Sequence, residues 1–112
     1  MSIHHSLYSL ESRVRNGTAP DSPAHLQTYL EVSQESASSL PLTARRYLYI
    51  HVFNVLTAAV ADHRVARQWR QLCLDHACFP LHRLRPLCKT PQQQHELLLM
   101  KYHLAHIGPH MN

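Results

Sequence analysis

Eleven of the 112 residues are histidine and three are cysteine, a supply of imidazole and thiol donors that directs attention first to metal-ligand spacing. Cys73, His76, Cys78, His82 and Cys88 follow one another closely. Cys73 and His76 stand at i and i+3, on one face of a helix and within reach of a single ion. Cys78 comes at the end of that helix, and the proline-containing stretch beyond can fold His82 or Cys88 back toward it. Thiolate and imidazole together suit tetrahedral zinc; apart from that candidate site, no cofactor is expected. The paired C-x2-C spacing that makes a zinc motif specific is missing. The same residues therefore also read as small buried hydrophobes and surface histidines.

A second set of histidines, His95, His103, His106 and His110, lies along the last helical segment. Only His103 and His106 are spaced to chelate together. The set also reads as a solvated face that gains charge below about pH 6.5.

Basic side chains supply a third chemistry. Arg64, Arg67 and Arg70 recur every three residues, and Arg83, Arg85 and Lys89 follow in the proline-containing stretch. Such a face can contact phosphates, so nucleic acid is one expected partner. Against it stands the absence of a tight glycine-containing turn between candidate helices, which a helix-turn-helix would need. Catalysis has no comparable pattern: there is no nucleophile elbow and no phosphate-binding glycine loop. Cys73 with His76 lacks an orienting third group, and Glu31 with Glu35 is an ordinary exposed pair. The chain reads as a non-enzyme.

The fourth chemistry is apolar contact. Ile3, Leu7, Leu10 and Val14 form one stripe at spacings of 4, 3 and 4, on a helix too short to be stable alone in water. It must dock on another chain, a second copy included, or on its own bundle. The leading expectation is a protein-interaction module: a small regulator, adaptor or chaperone-like accessory protein, with a metal-responsive or a nucleic-acid-binding regulator as alternatives.

The elements that must position these residues are helices. Two glycines in 112 residues leave few sites for hairpin turns or bulges, which argues against an all-β fold. The pattern predicts an all-α bundle of four or five helices in one domain spanning residues 1–112. The first helix covers about 1–16, with Asn16-Gly17 as its stop. Ser22-Pro23 starts the second as N-cap and N1, with Leu26, Tyr29, Leu30, Ser33 and Ala37 facing inward. Pro41 opens the most apolar segment, about 41–61, the expected central helix; its narrow polar stripe is His51, Asn54, Ala58 and Asp62. A bend is expected at Asp62. Val65, Trp69, Leu72 and His76 then form the inner stripe of the next helix. Pro80 and Pro86 predict a basic connector over 79–90, at most with a short turn after Pro80. Thr90-Pro91-Gln92-Gln93 is a capping box with proline at N1, opening the last helix. Leu26, Leu30, Leu48, Val52, Val55, Leu56, Ala59, Trp69, Leu72, Leu98 and Ile107 are the expected core.

Charge divides the chain. Residues 1–40 carry two Lys/Arg against four carboxylates, and residues 41–112 carry nine against three, a basic C-terminal part suited to an anionic partner. The N-terminus has no apolar signal region and no stretch is long enough to span a bilayer. With an odd number of cysteines, this leads to the expectation of a cytoplasmic protein with free thiols and no membrane partner.

Overall fold

The computed structural model describes the backbone of residues 3–110 and the side chains of residues 7–109. Among the described residues the fold is all-α, with no strand: α1 (Ile3–Asn16), α2 (Ala24–Ser38), α3 (Leu42–Ala61), α4 (Arg67–His76), α5 (Cys78–Leu84) and α6 (Pro91–Ile107). Single 3-10 turns follow α5 (Arg85–Leu87) and α6 (Gly108–His110). No described helix is long and apolar enough to cross a membrane. Ser2, a residue type suited to cap the first helix, lies outside the described residues.

Gly17 ends α1 in the left-handed region, at φ 59°, a conformation that costs other residues a Cβ clash. α2 begins at Ala24 with Pro23 before it, and no side chain caps it. Ser22 contributes backbone bonds instead: its N–H donates to Ala19 O and its own carbonyl accepts from His25 N–H, both at 3.0 Å. The expected inner face of α2 is the observed one, with Leu26, Tyr29, Leu30, Ser33 and Ala37 all buried.

α3 is the central helix. Tyr49, Val52, Phe53, Val55, Leu56, Thr57, Ala59 and Val60 are buried around most of its circumference, while His51 and Asn54 keep a narrow wet stripe. Buried Thr57 satisfies its hydroxyl by donating to Phe53 O at 3.0 Å. The helix stops where Asp62 turns extended, at ψ 102°, so the expected bend is a full break before α4.

The connector expected over 79–90 is helical from Cys78 to Leu87. Pro80 sits in the first turn of α5, where its missing N–H has no intrahelical carbonyl to lose. Pro86 falls at the start of the 3-10 turn, again where no donor is required. The segment is also core: Pro80, Leu81, Leu84 and Leu87 are buried. α6 opens as expected, Gln93 N–H donating to Thr90 Oγ1 at 3.1 Å while Gln93 Oε1 accepts from Thr90 N–H.

Two apolar clusters flank α3. One gathers Val14, Leu26, Tyr29, Val52, Leu56, Val60, Trp69 and Cys73. The other gathers Ala37, Tyr49, Phe53, Leu81, Leu84, Leu87, Cys88 and Leu97. Leu98 is not part of either. It is 45% exposed, because α6 meets the core through Leu97, with Met100 and Leu104 packed beside it. Leu48, Leu72 and Ile107, also expected in the core, are partly buried. The Cα trace measures 38 × 38 × 15 Å, the thickness of about two helix layers.

Candidate functional site

The five residues of the expected zinc set do not converge. Cys73 is buried in the first cluster and Cys88 in the second, on different sides of the fold. Burial pushes the Cys73 thiol up to about 12, so little of the nucleophilic thiolate is present at neutral pH. His76 is half-buried and its Nδ1 donates to Leu72 O at 3.0 Å. Cys78 and His82 are exposed on α5. Among the described residues no three His, Cys, Asp or Glu groups stand close enough to share a metal ion. Cys73 and His76 share α4, which ends at His76, and Cys78 and His82 belong to α5.

The basic stripe is likewise divided. Arg70 is 4% exposed and its Nε donates to Val60 O at 2.8 Å. It caps the carbonyl end of α3 and offers nothing to a nucleic acid. Arg64 grips Asp62 through Nε at 3.0 Å and Nη2 at 3.1 Å. Asp62 also accepts from Arg15 Nη1 at 3.0 Å. The hydrogen bonds from Arg64, then that from Arg15, hold the Asp62 carboxyl well below the usual carboxylate range. Arg67, Arg83, Arg85 and Lys89 are exposed.

The stripe on α1 completes the bundle. Val14 is fully buried in the first cluster, with Leu7 and Leu10 packed beside it; the side chain of Ile3 lies outside those described. The described residues of the stripe are turned toward the core. The helix is locked from three directions: Trp69 Nε1 donates to Val14 O at 2.8 Å, Tyr29 Oη donates to Glu11 at 3.1 Å, and His51 Nε2 meets the same carboxylate at 2.6 Å. Burial, with Glu11 alongside, pushes the Tyr29 phenol up. On α6, His95, His103 and His106 are exposed, and the His103 ring meets the edge of Phe53 at 6.4 Å. The side chain of His110 is outside those described.

What the fold assembles instead lies between α5 and α6. Arg85 and Lys101 border two adjoining grooves of about 160 and 400 Å³. Cys78, Leu81 and His82 line the first; Cys88, Gln94, Leu97 and Leu98 line the second. Neither contains a carboxylate. Beside them α6 turns Leu98, Leu99 and Tyr102 outward, 45%, 52% and 64% exposed. Lys101 is distant from Arg85 in sequence and joins it only when α6 docks on α5. The sequence signal for this surface was the excess of apolar residues on α6 beyond one inward stripe.

Comparison with protein-family models, curated proteins and solved structures gives no match.

Proposed function

We propose that this chain is a non-enzymatic protein-interaction module that docks an acidic, partly apolar segment of another protein on the α5–α6 face. The observation that carries this reading is the pairing of outward Leu98 and Tyr102 on α6 with carboxylate-free grooves bordered by Arg85 and Lys101. Contiguous exposed apolar side chains mark contact surfaces. Cations around them select and steer a partner of opposite charge. The smaller groove, about 160 Å³ with Leu81 in its wall, is of a size for a single side chain. A nucleic-acid surface would call for an open track of phosphate contacts.

A photo-crosslinking residue placed at position 102 in the living source cell tests this. The expected product is an adduct to one protein, through an acidic peptide, that disappears when Arg85 and Lys101 are both changed to Glu. A crosslinker at Tyr8, also exposed, is the control. Adducts no different from those at Tyr8, adducts to nucleic acid, or adducts only to a second copy of this chain would each overturn the reading.

A further inference from the structure

On the opposite flank of α5, α2, α3 and α5 enclose a half-open groove of about 270 Å³. Arg45, near the start of α3, donates from Nε to Ala37 O and from Nη2 to Leu40 O, both at 3.0 Å. Those bonds cap the carbonyl end of α2 and hold the guanidinium fixed at the groove wall, with Nη1 given to no described residue. Tyr49 stands one turn further along α3. Its side chain is buried, yet its hydroxyl has no hydrogen-bond partner among the described residues, and it too lines the groove. Arg83 enters from α5, its guanidinium lying 5.5 Å from the centre of the Phe79 ring and paired with no described carboxylate. His82 completes that wall, and Gln34 and Ser38 the facing one.

We propose that this groove is a binding site for the phosphate group of a small phosphomonoester. Two guanidiniums, one of them already immobilised, meet a free phenol donor where no carboxylate lines the space. Guanidinium forks match oxyanions in shape as well as charge. The three donors come from two helices, α3 and α5, and approach from different walls, an arrangement that suits the several oxygens of a tetrahedral phosphate better than the two of a planar carboxylate. The groove lies just below the ~300 Å³ at which drug-sized ligand pockets begin, so it takes the phosphate and a small remainder. Glu31 and Glu35 line an adjoining groove that shares Gln34 and Ser38 with this one, and their charge confines a dianion to the Arg83 side. Burial raises the Tyr49 phenol while Arg83 and Arg45 oppose the rise, which places both cations within electrostatic reach of the hydroxyl. The site shares only His82 with the α5–α6 grooves and stands apart from the interaction surface described above.

Inorganic phosphate, titrated calorimetrically at constant ionic strength, is the probe. The expected result is saturable binding of one ion per chain. Arg83→Gln and Tyr49→Phe should each weaken it by about tenfold, with unchanged circular dichroism. Arg13→Gln removes an exposed charge elsewhere and should leave affinity within about twofold. No saturable binding into the millimolar range, equal weakening in Arg13→Gln, or equal competition by acetate would overturn the assignment.

Discussion

Arginine serves two opposite purposes in this chain, and the difference is one of burial. Arg70 is enclosed and spends its Nε on Val60 O, one of the carbonyls that the end of α3 leaves without an intrahelical donor. Its charge also faces the negative end of that helix. Its Nη2 is buried without a protein partner, so the residue gains less than a fully bonded guanidinium would. Arg70→Ala should lower stability by about 2–4 kcal/mol, since it orphans Val60 O and empties a packed site. Arg85→Ala, on the surface, should change it by less than about 0.5 kcal/mol. Urea unfolding of the two variants checks this; equal small losses would show that the cap on α3 contributes little. In the sequence Arg64, Arg67 and Arg70 looked alike because their spacing is helical. The chain instead breaks at Asp62, and the register in which α4 resumes turns Trp69, Arg70 and Cys73 inward together. Nothing local to an arginine records that register. The cysteines were misleading for the same reason: their spacing suggested one site, whereas Cys73 and Cys88 belong to different clusters.

At the scale of elements, the joints that rest on local chemistry were legible and those that rest on packing were not. The capping box at Thr90, the stop at Asn16-Gly17 and the apolar run of α3 each carry their own cause. α5 does not. Its prolines read as breakers, and only their positions in a first turn and a 3-10 turn make them compatible with a helix whose leucines then become core. Gly17 shows how tightly one joint is made. Beyond its φ of +59°, a Cβ there would lie 2.6 Å from Val65 Cγ1 and 2.9 Å from Trp69 Cδ1. Trp69 is the residue that also bonds the end of α1 through Val14 O. Gly17→Ala therefore adds left-handed strain of about 1 kcal/mol to a steric shift of the α1–α4 contact, for a total loss of about 2–4 kcal/mol. Thermal unfolding followed through Trp69 fluorescence measures it. A loss near 1 kcal/mol or less would mean that Val65 and Trp69 yield without cost.

For the molecule as a whole, two helix layers leave every outer helix with a solvent face, which is why α6 can keep Leu98 and Tyr102 outside. They also bring distant parts of the chain together edge to edge, where polar ties join them. Asp62 is the clearest tie, joining Arg15 at the end of α1 to the break between α3 and α4 occupied by Arg64. Its pKa is depressed in the folded state, chiefly by the Arg64 hydrogen bonds and then by Arg15. An unfolded aspartate titrates near about 3.9. The stability Asp62 confers is thus fully present above about pH 4 and is lost as the pH falls from there toward the folded-state pKa. Asp62→Asn should be less stable than the native chain at neutral pH. The gap should be constant down to about pH 5 and narrow as the pH falls below about 4. Chemical denaturation across that range, with salt held constant, gives the comparison. A gap that stays the same at the acid end would show that Asp62 acts through shape and neutral hydrogen bonding, and that its charge does not bind α1 to the α3–α4 break.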